Sequence, residues 1–229
     1  MSLVDVQDLK KIYFQGKVEV PALKGVSLKI EKGEFLAIAG PSGSGKTTLL
    51  NHISGLDHPS SGTVKIDQQD LNGLSKTALS KLRLHKIGFI FQSFNLIPVL
   101  SALENVEFVM QLQGLSAQAR REKALQILAE VGLKEMVHRR PLDLSGGQQQ
   151  RVAVARAIVS EPVLIIADEP TANLDSATAK DLIALMKNLN QEKQITFVFS
   201  THDQMVMDSA MRLIRLKDGL IVQDEKKKN

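Results

Sequence analysis

The chain has 229 residues, of which 43% are hydrophobic and 24% charged, a composition typical of a soluble protein with one or two compact cores. It contains no cysteine, which excludes disulfides and thiol chemistry, and its net charge of +4 is too small to indicate nucleic-acid binding by itself. No apolar run approaches the ~18 residues that a membrane span needs, so we expect any membrane role to come from a partner.

The two ends of the chain show no targeting pattern. Residues 1–5 lack the basic and apolar regions of a signal peptide. Lysines 226–228 are expected to form a solvated tail.

The first part of the chain alternates between strand and helix patterns. Period-2 alternation and short apolar runs predict strands, and the polar and glycine clusters between them predict turns. The predicted strands are residues 3–9, 26–30, 35–39, 63–67 and 86–91, and the predicted helices are residues 48–53 and 77–85.

The pattern becomes helical after Gln92. An apolar loop at 93–100 precedes Ser101 and Glu104, which fit a capping box opening a helix to about residue 112. A second helix covers 116–131 and a third begins at Ser145. We therefore expect an all-helical insert at about 93–158.

The last part of the chain returns to strands alternating with helices. This pattern predicts an α/β fold with a mostly parallel sheet covered on both faces. The predicted strands are residues 163–168, 195–200, 212–217 and 220–224, the last two joined by a tight turn, and the predicted helices are 176–192 and 203–210.

A glycine-rich loop between the strand at 35–39 and the next helix matches the phosphate-loop pattern G-x-x-x-x-G-K-[ST]. Its backbone N–H groups would cradle phosphates at the helix N-terminus. Lys46 can reach the β- and γ-phosphates and the Thr47 hydroxyl can bind Mg²⁺. A plain turn would gain nothing from Lys and Thr at these offsets. The loop reads Gly40-Pro41-Ser42-Gly43-Ser44-Gly45-Lys46-Thr47-Thr48.

Two adjacent carboxylates, Asp168 and Glu169, end the apolar strand at 163–168. Carboxylates beside a buried core are costly unless something uses them. We expect this strand to run beside the phosphate loop, and period-2 alternation to send the two side chains to opposite sides. Asp168 would then hold Mg²⁺ through a water, and Glu169 would polarise an attacking water.

The segment Ser145-Gly146-Gly147-Gln148 opens the third helix of the insert. Ser145 and Gln148 fit a capping box, which is a structural explanation of the pair. However, glycines in a first helical turn cost about 1 kcal/mol each relative to alanine. They are better explained if this turn lies against a ligand such as a phosphate.

These motifs together resemble the nucleotide-binding subunit of ABC transporters over nearly the whole chain. Residues 40–47 resemble the family's Walker A motif, 163–169 its Walker B motif, and 144–148 its signature. By this resemblance, further site residues are Gln92 of the Q-loop, Asp175 of the D-loop, the switch histidine His202, and Tyr13, which would stack on adenine.

The resemblance implies a single ABC ATPase domain over 1–229 with a P-loop NTPase (RecA-like) fold, an N-terminal antiparallel β part, and the helical subdomain inserted between core segments 1–92 and 159–229. It also implies a homodimer with ATP and Mg²⁺ sandwiched between Walker A of one chain and the signature, Ser145 to Gln148, of the other. Glu169, His202 and Lys46 would be catalytic, and Thr47, Gln92 and Asp168 would serve the metal.

Residues 91–98, 144–151 and 169–175 resemble a narrower group, the macrolide-exporter, lipoprotein-releasing and cell-division ATPases. A member would work at the cytoplasmic face of the inner membrane and drive a separate permease. The apolar loop 93–100 beside Gln92 would form the permease groove, unless it is a buried linker. A cell-division role, a nucleic-acid or ribosome-associated ABC ATPase, and a non-hydrolysing subunit stay open as alternatives.

Overall fold

The fold is described from a computed structural model covering residues 2–227. Ten strands and seven helices lie in this range, in the order that the sequence predicts except for one short additional strand, β5. The strands are β1 (Ser2–Gln15), β2 (Val18–Glu31), β3 (Phe35–Ala39), β4 (Ser61–Ile66), β5 (Gln69–Asp70), β6 (Ile87–Phe91), β7 (Leu164–Asp168), β8 (Thr196–Thr201), β9 (Arg212–Lys217) and β10 (Leu220–Lys226). The helices are α1 (Lys46–Ile53), α2 (Lys76–Lys86), α3 (Ala102–Leu112), α4 (Ala117–Glu130), α5 (Gly146–Ile158), α6 (Ser176–Lys193) and α7 (Gln204–Ser209).

The strands form two sheets. Six of them have the order β10-β9-β3-β8-β7-β6, in which every neighbouring pair is parallel except the β9–β10 hairpin. The other four have the antiparallel order β2-β1-β4-β5. This confirms the predicted α/β fold with its mostly parallel sheet and N-terminal antiparallel part.

Strands β3, β7 and β8 of the six-stranded sheet are buried on both faces, as their apolar runs predict, whereas the edge strand β10 is largely exposed. Phe35, Phe197 and Phe199 face a cluster shared with α3, α4, α5 and α6, and each is 0% exposed. Leu36 and Val198 face the opposite cluster, which includes the antiparallel sheet, α1 and α2. The helices of the 93–158 segment therefore share one apolar core with the sheet, and their status as a separate subdomain stays a prediction.

The antiparallel part is larger than the sequence indicates. β1 and β2 continue far beyond the predicted segments 3–9 and 26–30, and they meet in a turn at Gly16, whose φ is +64°. The outer half of this hairpin is exposed, with Phe14 at 70% and Val18 at 65%. Alternation of apolar and polar residues indicates a strand with one buried face. It cannot reveal a strand whose two faces are both exposed to water, as in the outer half of this hairpin.

Lys226 and Lys227, the described lysines of the tail that the sequence predicts to be solvated, are exposed, but both also have partners in the fold. Lys226 ends β10 and its Nζ lies 3.2 Å from Glu34 Oε1. Lys227 donates through Nζ to the carbonyl oxygens of Met207 and Asp208. Lys228 lies outside the described residues, as does Met1 of the N-terminal segment.

Within residues 2–227, none of the helices combines the length and the apolar character that crossing a membrane requires.

Candidate nucleotide-binding site

A cavity of about 570 Å³ lies where the phosphate loop meets the carboxyl ends of β7 and β8. This is the edge at which open α/β sheets bind ligands. The structure thus brings together residues separated by more than a hundred positions. The cavity is lined by Ala22, Ser42, Gly43, Gly45, Lys46, Thr47, Thr48, Gln92, Glu169 and His202.

The phosphate loop is shaped by close backbone approaches. A Cβ at Gly40 would lie 2.1 Å from the carbonyl oxygen of Leu216, and Gly45 has a φ of +102° at the start of α1. Both positions therefore require glycine. The Lys46 ammonium is folded back onto the loop, donating to the carbonyl oxygens of Gly40 at 2.8 Å and Pro41 at 3.1 Å. It is only 9% exposed, so it is already largely desolvated where a phosphate would need it.

The turn of the β9–β10 hairpin supports this loop, a contact that the sequence did not indicate. The N–H of Gly219 donates to the carbonyl of Ser44 at 3.1 Å, and the N–H of Lys24 donates to the carbonyl of Gly219 at 3.0 Å. The loop is thereby fastened to β2 through the hairpin.

Glu169 and His202 meet at the mouth of the cavity. His202 Nδ1 lies 2.9 Å from Glu169 Oε1, and the two side chains come from the ends of neighbouring strands. The Glu169 side chain is 17% exposed and that of His202 is 72% exposed. Asp168 is turned away from the cavity lining and accepts a hydrogen bond from Ser200 Oγ.

Two expectations about these carboxylates need correction. β7 does not run beside the phosphate-loop strand, because β8 lies between β3 and β7. The different directions of Asp168 and Glu169 do not arise from continued strand alternation either. β7 ends at Asp168, and Glu169 has a left-handed φ of +48°. That turn of the backbone sends the Glu169 side chain into the cavity.

Tyr13 lies on the outer part of the β1–β2 hairpin, outside the cavity lining. Its hydroxyl donates to Asp57 Oδ2 at 2.9 Å, and Lys11 Nζ lies 4.9 Å from the ring centroid. Burial and the Asp57 carboxylate raise the pKa of Tyr13. The pKa of Asp57 lies below its ordinary value: burial opposes this, but hydrogen bonds from Lys11 and Tyr13 outweigh it. The ring is thus held in place with 40% of the residue exposed.

The signature turn begins α5 and does not line the cavity of its own chain. Ser145 and Gln148 form the complete capping box: Ser145 N donates to Gln148 Oε1 at 2.9 Å, and Gln148 N to Ser145 Oγ at 3.3 Å. A Cβ at Gly147 would lie 2.3 Å from Thr178 Cγ2, so packing against α6 already requires this glycine. A Cβ at Gly146 would lie 3.6 Å from its nearest neighbour, the carbonyl oxygen of Asn173. Packing therefore does not explain this glycine, and a contact with a ligand still could.

Hydrogen bonds between side chains and backbone hold the segments around Gln92 and Asp175 in place. The carbonyl of Gln92 accepts a hydrogen bond from Asn173 Nδ2 at 2.9 Å. Asp175 caps α6, accepting from the N–H groups of Ala177 and Thr178. Hydrogen bonds from the Thr178 hydroxyl and backbone hold the pKa of Asp175 below its ordinary value.

The side chains assigned to magnesium fit a site completed by phosphate. Within residues 2–227, no three His, Asp or Glu side chains converge to hold a metal ion alone. Mg²⁺ does not need such a cage, because it keeps several waters and binds through one or two carboxylates plus substrate phosphates. Thr47 and Gln92 line the same cavity, and Asp168 ends the strand behind it, so this donor set suits the ion.

A second cavity of about 530 Å³ forms an apolar groove on the surface of α2, β6, α3 and α5. Arg83 and Arg156 line it; their guanidiniums donate to the carbonyls of Gly55 and Phe94, and among residues 2–227 neither pairs with a carboxylate. Burial lowers the pKa of Arg156. The groove is lined by Ser80, Arg83, Leu84, Ile87, Gly88, Phe89, Phe91, Asn95, Val109, Leu112, Arg156, Ala157 and Ser160.

This groove does not coincide with the permease groove predicted at 93–100, which stays a prediction. Of that loop only Asn95 lines the groove. Leu96 packs against the hydrophobic core, as the alternative of a buried linker requires, while Val99 is 72% exposed.

Comparison with known proteins places these features in a family. The ABC transporter family model matches residues 23–172. The macrolide export ATP-binding/permease protein MacB of Syntrophobacter fumaroxidans is 47% identical over 223 residues, covering 96% of this chain and 31% of that protein. The uncharacterized ABC transporter ATP-binding protein MJ0796 of Methanocaldococcus jannaschii is 47% identical over 228 residues, covering 98% of this chain and 97% of that protein.

A solved structure supports the same relationship. It is a dimeric post-hydrolysis state of the ATP-binding cassette MJ0796 bound to ADP and phosphate, with a TM-score of 0.91, 46% identity and 99% of each chain covered. The chain spans about a third of the length of the curated MacB relatives that it matches. With its P-loop NTPase fold, the chain belongs to the ABC transporter family as an ATP-binding domain.

Proposed function

We propose that this protein hydrolyses ATP as a homodimer and thereby drives a separate membrane permease. One observation carries the proposal: a single cavity contains the phosphate loop, Gln92, Glu169 and His202, while the signature turn lies outside it. Each chain then holds half of a catalytic site. The dimeric state of the MJ0796 cassette, at 46% identity, supports this arrangement.

In the proposed reaction, the γ-phosphate replaces the loop carbonyls as the partner of Lys46. The ammonium loses two backbone hydrogen bonds and gains a charge-assisted contact with phosphate. The water oxygen bonds to the γ-phosphorus as the bond to the bridging oxygen breaks and ADP leaves. Glu169 accepts the proton of the attacking water, and His202 keeps Glu169 oriented. Mg²⁺ held by Thr47, Gln92 and Asp168 would neutralise charge on the phosphates.

The second half of the site would come from α5 of the other chain. The first N–H groups of a helix carry partial positive charge and bind anions. In α5 the capping box leaves the N–H of Gly146 and Gly147 outside its two hydrogen bonds. ATP would then join the two chains, and loss of the γ-phosphate would release them.

The proposed permease segment docks in the groove of Leu84, Phe89, Phe91, Val109 and Leu112. An amphipathic helix suits such a groove. Because Arg83 and Arg156 line it and neither has a carboxylate partner in the described part of the chain, the segment should also carry an acidic residue. A permease of the macrolide-export type is favoured, since relatives at 43–48% identity carry that name. The protein would then work at the cytoplasmic face of the membrane.

Phosphate release from Mg-ATP by the purified chain tests the enzymatic part. Lys46→Ala should weaken ATP binding by at least about tenfold, because one charged hydrogen-bonding partner of the phosphates is lost. ATP binding within about twofold of wild type in this variant would contradict the assignment. Co-purification decides between the alternatives. An exporter-like permease would support transport, a cell-division-like permease would support the cell-division role, and ribosomes or nucleic acid would support the soluble ABC ATPases.

A further inference from the structure

A buried amide, Gln150, joins the two segments that enter the candidate catalytic site. It lies in α5 and is 0% exposed. Its Nε2 donates to the carbonyl of Phe91 at 3.3 Å and to that of Pro170 at 2.7 Å. These residues are the direct neighbours of Gln92 and Glu169. One side chain therefore fixes the distance between the backbone that carries Gln92 and the backbone that carries Glu169.

The segment after Phe91 is fastened to the same helix at a second point. Arg156 Nη2 donates to the carbonyl of Phe94 at 2.9 Å and Arg156 Nη1 to that of Asn95 at 2.5 Å. Phe94 and Asn95 have left-handed φ values of +60° and +49°. Such conformations persist in non-glycine residues only where the surroundings enforce them. Residues 91–95 are thus held by α5, whose first turn is the signature.

Glu169 is strained in the same way, with a φ of +48°. Its N–H donates to the carbonyl of Ser200 at 3.0 Å, and the carbonyl of the following residue, Pro170, accepts the hydrogen bond from Gln150. The direction of the Glu169 side chain depends on this turn. Gln150 is therefore part of what keeps the carboxylate aimed into the cavity.

Gln150 also has a property that stability alone does not explain. Its Oε1 is buried without a hydrogen-bond partner among residues 2–227. A buried acceptor left unsatisfied is destabilising, so an amide here costs stability that an apolar side chain of similar size would not.

We propose that Gln150 is a positioning residue for ATP hydrolysis. Acting through Phe91 and Pro170, it makes Gln92, Glu169 and the signature helix move as one unit. The proposal rests on the proposed function, since it assigns Gln150 to the same site. Movement of residues 91–95 by a partner in the adjacent groove would then be passed to Glu169 through this amide.

The test is Gln150→Met, which keeps the length of the side chain and removes both hydrogen bonds. A matched control exists in Asn190, a 3% exposed amide of α6 that donates through Nδ2 to the carbonyls of Gly33 and Ile195. Asn190→Leu removes two hydrogen bonds of the same kind at the amino-terminal ends of β3 and β8. Both variants should lose thermal stability.

Only Q150M should lower kcat, by about tenfold to a hundredfold, since small misplacements of catalytic groups cost this much. Its Kd for ATP should stay within about twofold of wild type, because the phosphate loop is untouched. A kcat near that of wild type, or an equal loss in N190L, would overturn the proposal.

Amide hydrogen exchange gives a readout that does not need hydrolysis. Residues 91–95 and 169–171 should exchange faster in Q150M than in N190L, and equal protection in the two would also overturn the proposal. Wild-type protein that fails to release phosphate would count against the proposed function, while the exchange result still decides the role of Gln150.

If Q150M does not fold, Gln150→Glu replaces it. A buried carboxyl has a raised pKa, and its protonated form can donate one hydrogen bond. The kcat of Q150E should therefore fall, relative to wild type, as pH rises through that pKa. A pH profile parallel to that of wild type would contradict the proposal.

Discussion

His202 Nδ1 lies 2.9 Å from Glu169 Oε1, so the switch histidine and the expected catalytic base are in hydrogen-bond contact. An ionised carboxylate can only accept, and Nδ1 must therefore donate. This hydrogen bond orients the ring and leaves Nε2 as the ring nitrogen that can face a γ-phosphate.

His202→Ala should lower kcat by about 10²–10⁴-fold, because Glu169 loses its orienting partner and the phosphate loses a donor. His202→Gln should keep part of the activity, since its amide can still donate a hydrogen bond either to Glu169 or to the γ-phosphate. ATP affinity should change little, because Lys46 and the loop N–H groups are intact. Separate measurements of kcat and of the ATP Kd check this, and a loss confined to Kd would contradict it.

Tyr13→Ala should weaken ATP binding by about threefold to tenfold, the size of one aromatic stacking contact. Tyr13→Phe keeps the ring and loses the hydroxyl that donates to Asp57, so its affinity should stay within about twofold of wild type. Titration of both variants with ATP compares them. Equal affinities for the Ala and Phe variants would show that the ring does not contact adenine.

Leu112→Asp should abolish stimulation of the ATPase by the permease and leave basal hydrolysis within about twofold of wild type. Leu112 lines the groove and is 58% exposed, so a carboxylate there leaves the fold intact but would be desolvated under a docked helix. Val222→Asp is the control, because Val222 of β10 is 60% exposed and lies outside the groove. Equal stimulation of the two variants would remove this groove as the docking surface.

Asp224→Asn should lower the melting temperature by a few degrees at neutral pH. Asp224 receives two hydrogen bonds of 2.7 Å from Arg212, which lower the pKa of the carboxyl. A lowered pKa means stability that is present above the unfolded-state value of about 3.9 and is lost as pH falls through the folded-state value. The difference between wild type and D224N should therefore shrink below about pH 4. A constant difference from pH 7 to pH 3 would contradict the assignment.

The sequence predicted most of the architecture because the information is local. The phosphate loop needs its glycines where Gly40 meets Leu216 and where Gly45 turns left-handed, and both are visible as a motif. Buried parallel strands such as β7 and β8 read as apolar runs. Capping at Ser101 and Ser145 follows from residue types three positions apart, and the structure confirms both boxes.

What the sequence missed depends on contacts between distant segments. The order of parallel strands is not written in any single strand, so the position of β8 between β3 and β7 could not be deduced locally. Gln150 resembles its neighbours Gln148 and Gln149 in the sequence, and only burial distinguishes it. Position 147 requires glycine because a larger residue would clash with Thr178, which is thirty-one positions away in the sequence.

The shared catalytic site is tested most directly by Glu169→Gln. The substitution keeps the size of the side chain and removes the negative charge beside the γ-phosphate, so ATP should still bind and the two chains should close more readily. Hydrolysis should fall by about 10²–10⁴-fold, because the attacking water loses its base. Size-exclusion chromatography with light scattering should then show a dimer of E169Q in Mg-ATP and a monomer in ADP. A monomer at saturating Mg-ATP would contradict a site built from two chains.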